Sequence, residues 1–410
     1  MELRNGTRFV VTASLVALSA CGGSRIAPYG SASTSASSAR VIQSNARVIQ
    51  SNARVILSLS KDDIGVPFDS TSILKKLKKD VTIGSTVDPG NGDTGPRAIS
   101  VVPTSFGKLK KDHVLVCNFD NSKGEAGKGT TIEQLAPVPN SKPTRFVQST
   151  KIEGCDGDAI DAGDQVYAVG MTSGLTAWFN QNAQMKKAYG KPGSMPLGDQ
   201  VGPPLALYSP SWLFIGNGNP GALDNLALGA YGAKELVQAI NGFPFNKEGV
   251  GWGKLGPSGY AYSCGALPGA RRCSNKVDTL FVADGACNAV VAIEHASSLL
   301  EKDEITVGSD CKSFKCKHPT TTCGKLVKAG SPLNKPDAAA ILPNGNVVVA
   351  NTGGNTLVEL MPNGKVLATK AVGKSKTPGI WGLFAIGKND SDTALYYTDK
   401  NSNELHELEQ

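Results

Sequence analysis

The sequence contains little histidine, few aromatic residues and no long stretch of helical periodicity. Only 4 of the 410 residues are histidine, which leaves little material for a histidine-based metal centre or acid–base pair. Aromatic residues make up 6% of the chain, and none is interleaved with the basic clusters "LKKLKKD" and "GKLKKDH". A nucleic-acid groove needs both kinds of residue together. We therefore expect no nucleic-acid partner.

Catalytic and cofactor motifs are also missing. The chain has no G-x-S-x-G, no H-E-x-x-H and no C-x-x-C-H, so we expect no catalytic set of these kinds and no covalently bound haem. The run "LFIGNGNPG", residues 213–221, has the glycine spacing of a dinucleotide-binding loop. The amphipathic helix and the acidic residue that such a loop requires do not follow it. We therefore expect no nucleotide cofactor.

Glycine and short β-rich runs are abundant instead. The chain has 47 glycines and 40% hydrophobic residues, a composition that indicates a globular protein of short strands and tight turns. One unit recurs along the chain: a β-rich run, a turn of Gly, Asn or Asp, and a second run. Its copies begin at His113, Gln165, Trp212, Thr279, Asn346 and Ala394.

The complete unit around the fifth copy, residues 337–373, divides into four strands with Pro-Asn-Gly at two of its turns. A four-stranded antiparallel unit of this length is typical of a propeller blade, which must stack against its neighbours to bury a core. We therefore predict an all-β fold, a six-bladed β-propeller over residues 80–410. A seventh blade remains an alternative.

The last copy supplies only three strands before the chain ends. The run "DVTIGSTVD", residues 80–88, is similar to two runs interpreted as fourth strands, "EITVGSD" at Glu304 and "ATKAVG" at Ala368. An N-terminal strand that joined the last blade would remove two open sheet edges. We predict that this strand closes the ring.

The runs "LFVADGACNAVVAIE" and "VVVANTGGNTLVELMPNGKV" resemble NHL-repeat and gluconolactonase-like propellers. In gluconolactonase-like enzymes, a Glu at the start of the first blade and Asn and Asp from later blades hold a divalent ion in the channel. The corresponding start of this chain reads "TGPRAISVV", with Arg97 where that Glu is expected. The resemblance leaves Ca²⁺ or another divalent ion open as a cofactor, but Arg97 counts against a lactonase.

The loops around one mouth of a propeller channel usually bind ligands, and several polar or aromatic residues fall in them. Converging Asp and Asn side chains can hold a hard divalent ion, although they more often make local hydrogen bonds within turns. The candidate ligand-binding residues are Arg97, Asp120, Asp158, Asn217, Asp284, Asp337, Asn351, Trp381 and Asp399.

Two functions fit this sequence. The first is a binding module whose loop-rich face takes a protein, peptide or glycan, because no catalytic set is evident. The alternative is a metal-dependent, lactonase-like hydrolase with a divalent ion in the channel, as the resemblance implies. We favour the binding module.

The N-terminus has the pattern of an export signal. Arg4 and Arg8 precede an apolar run that ends in "LSACGG", which predicts a signal peptide over residues 1–20. The stretch "LSAC" also resembles the lipobox of bacterial lipoproteins, so Cys21 is the expected site of lipid attachment. Gly22 stands where an Asp would favour retention in the inner membrane. We therefore expect an exported protein anchored by its lipid to the bacterial envelope, at the outer membrane.

Residues 21–79 read as a flexible tether that contains the tandem heptapeptide "SARVIQS", "NARVIQS", "NARVILS". The eight cysteines after Cys21 are most simply disulfides in an oxidising compartment. Short loops suggest the pairs Cys264 with Cys273 and Cys316 with Cys323. A zinc site formed by Cys311, Cys316, His318 and Cys323 is the alternative.

Overall fold

The computed structural model describes residues 70–410, apart from residues 162, 191–195, 203–211, 218–225, 231–235, 246–255, 264–277 and 300. The predicted signal peptide, the lipid-attachment residue Cys21 and the heptapeptide repeats lie outside the described residues, as do Cys264 and Cys273. Within the described part of the chain, no helix has the length and hydropathy needed to cross a bilayer.

Six antiparallel sheets follow one another along the chain as the blades of a propeller, which confirms the predicted fold. Blade 1 contains β2 (Thr94–Val101), β3 (Val114–Asp120), β4 (Thr131–Leu135) and β5 (Thr144–Gln148). Blade 2 contains β6 (Cys155–Ile160), β7 (Val166–Gly170), β8 (Leu175–Phe179) and β9 (Met185–Gly190). Blade 3 contains β10 (Pro196–Gly202), β11 (Trp212–Asn217), β12 (Leu226–Ala230) and β13 (Val237–Asn241).

The other three blades complete the ring. Blade 4 contains β14 (Pro257–Ser263), β15 (Thr279–Asp284), β16 (Ala289–Glu294) and β19 (Cys323–Ala329). Blade 5 contains β20 (Pro336–Ile341), β21 (Val347–Asn351), β22 (Thr356–Leu360) and β23 (Val366–Ala371). Blade 6 contains β24 (Ile380–Ile386), β25 (Ala394–Asp399), β26 (Glu404–Glu409) and the N-terminal β1 (Lys79–Ser85). Short 3₁₀ helices span Thr150–Ile152 and Ala296–Ser298.

The N-terminal strand closes the ring as predicted. β1 pairs antiparallel with β26 and supplies the outer strand that the last repeat lacks. The chain before β1 also packs onto the propeller, because Ile73, Leu74 and Leu77 are buried between blades 5 and 6. The buried Glu359 carboxylate fixes this segment by accepting hydrogen bonds from the Ser72 hydroxyl and the Leu74 amide, at 2.6 and 2.9 Å.

The core is divided among the six interfaces between neighbouring blades. Successive residues of a strand point to opposite faces of its sheet, so one blade contributes to two interfaces. In β21, Val347 and Val349 pack against blade 4, whereas Val348 and Ala350 pack against blade 6. Because both faces are covered, the second strands read as uninterrupted apolar runs, and these runs are the repeat that the sequence displays.

A hairpin inserted between β16 and β19 departs from the predicted blade. It consists of β17 (Ile305–Val307) and β18 (Phe314–Cys316), and β17 pairs in parallel with β13 of blade 3. The interpretation of "EITVGSD" at Glu304 as the fourth strand of blade 4 was therefore wrong. That strand is β19, and the insertion extends the sheet of blade 3 to six strands.

All three disulfides among the described residues join neighbouring sheets. Cys316–Cys323, which was predicted, links β18 to β19. Cys117–Cys155 links β3 of blade 1 to β6 of blade 2, and Cys287–Cys311 links the β15–β16 turn to the inserted hairpin. The alternative zinc site is not formed, because its three cysteine sulfurs are held in disulfide bonds.

Candidate functional site

The six innermost strands each contain a β-bulge near their first residue. The pairing register between the inner strand and the second strand shifts in all six blades. In blades 2 to 5 the shift lies between the first and third residues of the inner strand. In blade 1 it lies between Pro96 and Ile99, and in blade 6 between Ile380 and Leu383. A bulge re-aims the extra residue, and bulges are frequent at the rims of barrels and beside active sites. Here the bulged residues form a ring of side chains at one mouth of the channel. The ring consists of Arg97, Asp156, Leu197, Ser258, Asp337 and Trp381.

Local sequence explains why these residues recur at the same height. Each ring residue follows Pro, Cys or Ile and precedes Gly or Ala. A Pro at the first strand position needs no ladder hydrogen bond. The small residue admits the backbone of the next blade: a Cβ on Gly259 would lie 2.7 Å from the Asp337 carbonyl oxygen, and one on Gly382 would lie 2.4 Å from the Arg97 carbonyl oxygen. The ring is therefore a product of close backbone packing around the axis.

The ring lines a cavity of about 450 Å³ that continues between the inner strands. Deeper lining residues include Asp158 on β6, Tyr260 on β14 and Ser100 on β2. A cavity of this size, with a few convergent polar groups, is typical of a small-molecule site.

Arg97 is the best-anchored member of the ring. Its guanidinium carbon lies 3.6 Å from the centre of the Phe119 ring and 4.0 Å from that of Trp381, a double cation–π contact. Its Nη1 donates to a carboxylate oxygen of Asp156, and both side chains are almost fully buried. Burial raises the pKa of Asp156, and the positive charges of Arg97 and Lys400 oppose that rise.

Two further carboxyl groups line the cavity, on the buried Asp158 and the partly buried Asp337. Ser258 donates to Asp337 at 2.6 Å, and burial together with the negative charge of Asp156 raises the pKa of Asp337 to about 7. Ser100 donates to Oδ2 of Asp158, whose pKa burial also raises to about 7. Near neutral pH, each of these two side chains is therefore protonated in part of the molecules and ionised in the rest.

Two residues that line this cavity, one an acceptor and one a donor, each carry a buried polar atom without a hydrogen-bond partner among the described residues. The atoms are Oδ1 of Asp158 and the indole Nε1 of Trp381, in residues that are 6% and 5% exposed. Buried polar atoms in proteins are nearly always paired, so an acceptor and a donor left open on residues that line one cavity indicate a ligand that can satisfy both.

The structure divides the predicted ligand-binding residues into two groups. Arg97, Asp337 and Trp381 belong to the ring, and Asp158 lies just below it. The others stand at the ends of second strands around the mouth, where most make the local turn contacts weighed as the alternative. Asn351 donates to the Thr356 hydroxyl across the turn, Asp284 accepts from the amides of Ala286 and Cys287, and Asp399 accepts from the Asn401 amide. Asp120 pairs instead with Lys400 at 2.7 Å, and Asn217 ends β11.

Asp156, Ser258 and Lys400 were not among the predicted residues. The signal that would have identified Asp156 and Ser258 is the flanking pattern described above, present in "CDG" and "PSG" as in "PDA" and "IWG". Lys400 has no such signal, because its position depends on how the last blade meets the first. Its pKa is lowered by burial, against the attraction of Asp120.

No family model matches the chain, and no curated protein matches it. Solved structures do. A gluconolactonase from Xanthomonas campestris is similar over 81% of this chain and 89% of its own, at 11% identity and a TM-score of 0.51. Virginiamycin B lyase from Staphylococcus aureus is similar over 81% and 98%, at 14% identity and a TM-score of 0.46. A chain of the nidogen/laminin complex is similar over 68% and 86%, at 13% identity and a TM-score of 0.42. At these identities the likeness concerns the fold alone.

Proposed function

We propose that the protein is a binding module whose ligand enters the channel at the ring of bulged residues. The observation that carries this proposal is a pair of buried polar atoms without hydrogen-bond partners on two residues that line the cavity, Oδ1 of Asp158 and Nε1 of Trp381. A ligand that fills the site must accept from the indole, and it must either donate to the carboxylate of Asp158 or accept from its acid form. Hydroxyl groups do both, so a sugar residue of a glycan is the ligand that we propose.

The charge balance of the site supports a neutral ligand. Arg97 is already paired with Asp156, and Lys400 with Asp120. Asp158 and Asp337 titrate near neutral pH, so the site carries little fixed charge to attract a strongly ionic ligand. A hydroxyl-rich ligand would exchange hydrogen bonds with these groups without adding a charge to a buried space.

The metal-dependent hydrolase fits the same residues less well. Asp156, Asp158 and Asp337 offer the oxygen ligands that a hard divalent ion prefers. However, the Arg97 guanidinium occupies the ring beside Asp156 and takes up its carboxylate. A cation placed there would be repelled by Arg97 and would have to compete for its partner, so we derive no catalytic step through a metal.

Binding to an array of bacterial cell-wall and capsular glycans tests the proposal. We expect Trp381→Phe and Asp158→Ala each to weaken binding of a glycan retained by the wild type, by about tenfold for each lost hydrogen bond to a buried partner. Trp178→Phe is the matched control, because the Trp178 indole donates to Gln165 on an outer part of blade 2. If no glycan binds, or if the two site variants bind as the wild type does, the proposal is wrong.

A further inference from the structure

The disulfide Cys287–Cys311 joins a partly exposed residue to a buried one. Cys287 lies in the turn between β15 and β16 and is partly exposed, whereas Cys311 lies in the β17–β18 loop and is fully buried. A thiolate from solution therefore has the shorter approach to Cys287. The leaving group of such an attack would be the sulfur of Cys311, which burial makes a poor thiolate.

A buried carboxyl group stands beside that leaving group. Oδ2 of Asp284 lies 4.0 Å from Sγ of Cys311, while Oδ1 accepts hydrogen bonds from the amides of Ala286 and Cys287. Among the described residues, this is the one place where a carboxylate oxygen and two cysteine sulfurs lie within 4.8 Å of one another. Burial is the main cause that raises the pKa of Asp284 to about 7, and the nearby Asp337 adds to it. Near neutral pH, Asp284 can both give and take a proton.

We propose that Cys287–Cys311 is a thiol–disulfide exchange site in which Asp284 supplies the proton to the sulfur of Cys311. A thiolate of an external dithiol attacks Sγ of Cys287, the S–S bond breaks, and its electron pair passes to Sγ of Cys311, which takes the proton of Asp284. The second thiolate of the dithiol then attacks its own sulfur in the mixed disulfide and releases Cys287, which is protonated from solvent. The dithiol is oxidised to a disulfide, and Cys287–Cys311 is reduced by two electrons; Asp284 regains its proton from solvent.

The turn itself does not require an acid at this position. The equivalent residue, which pairs with the inner-strand residue just before the ring residue, is Asn in blades 1, 3 and 5, as Asn118, Asn217 and Asn351. Asp284→Asn should therefore keep the hydrogen bond of Oδ1 and the fold of the turn. Blade 6 carries Asp399 at the same place with no cysteine beside it in the described structure, which makes Asp399→Asn a matched control.

The test follows reduction of the folded full-length protein by dithiothreitol, with alkylation and mass spectrometry to measure each disulfide separately. In the wild type, the cleavage rate of Cys287–Cys311 relative to Cys316–Cys323 should fall as the pH rises through about 7, because Asp284 and its neighbour Asp337 ionise there. This ratio removes the common effect of the dithiothreitol thiolate fraction.

At pH 6, Asp284→Asn should slow cleavage of Cys287–Cys311 by at least about tenfold and leave Cys316–Cys323 unchanged. Asp399→Asn should change neither rate. A ratio in the wild type that does not vary with pH, or equal rates in the wild type and Asp284→Asn, would overturn the proposal. If Asp284→Asn does not fold, the pH profile of the wild type decides. Neither readout depends on whether the channel binds a glycan.

Discussion

Removal of the Arg97 charge should destabilise the protein in a way that depends strongly on pH. In Arg97→Met the stem of the side chain is kept, but the buried Asp156 loses its partner and the two cation–π contacts are lost. An ionised carboxyl group without a partner in this setting will take up a proton. The cost of protonation is about 1.4 kcal/mol for each pH unit above the ordinary pKa of 3.8.

This linkage sets the magnitude at each pH. The cost of protonating Asp156 in Arg97→Met is at most about 4 kcal/mol at pH 7 and at most about 1.5 kcal/mol at pH 5. The lost cation–π contacts add about 1–2 kcal/mol at both pH values. Because burial raises the pKa of Asp156 even beside Arg97, the measured difference will be smaller than these limits. We expect a total loss of about 2–5 kcal/mol at pH 7 and a smaller loss at pH 5.

Urea-induced unfolding at the two pH values measures this difference, with Arg97→Met/Asp156→Asn as the control. The double variant lacks the Asp156 carboxyl group, so its loss of stability should change less between pH 5 and pH 7 than that of Arg97→Met. A loss below about 1 kcal/mol for Arg97→Met at pH 7, or one that does not change with pH, would refute the assignment of Arg97 and Asp156 as a buried ion pair.

Substitutions at a buried carboxyl group of blade 1 and at two glycines test other parts of the structure. Burial and the charge of Asp88 raise the pKa of Glu133 to about 9, so the native state holds an extra proton from about pH 4.5 to 9 and loses stability as the pH rises through that range. Glu133→Gln should abolish this decline, and thermal midpoints at pH 5 and 9 that fall equally in both proteins would contradict it. Gly259→Ala should cost about 2–3 kcal/mol, because its Cβ would lie 2.7 Å from a backbone oxygen of the next blade. Gly354→Ala, where the nearest atom is the movable amide of Asn334 at 3.3 Å, should cost less than about 0.5 kcal/mol, and equal losses would refute the packing argument.

The fold could be predicted because its strongest sequence signal comes from strands that are covered on both faces. The runs at Val347 and Leu395 are apolar at nearly every position, and their repetition identifies blades. The partner of a short strand is harder to predict. The run at Ile305 looked like an outer strand of blade 4, yet it pairs with blade 3, because three residues of alternating pattern fit the edge of either sheet.

The candidate site could be predicted only in part for a related reason. Arg97, Asp337 and Trp381 were identified because they stand at the starts of repeats. Asp156 and Ser258 were missed because a bulge breaks the two-residue alternation, so that the side chain directed at the axis is not the one that strict alternation selects. Lys400 was missed because its ion pair with Asp120 joins the last blade to the first.

Metal content is the most direct test of whether the ring acts as a binding site without a catalytic ion. The protein, purified with its disulfides intact, should be analysed for divalent ions, and its thermal midpoint should be measured with and without EDTA. Our account predicts no ion in stoichiometric amount and an unchanged midpoint, because Arg97 already neutralises the Asp156 carboxylate in the ring. One tightly bound divalent ion, with a midpoint that falls on chelation, would contradict the account and favour the lactonase-like hydrolase.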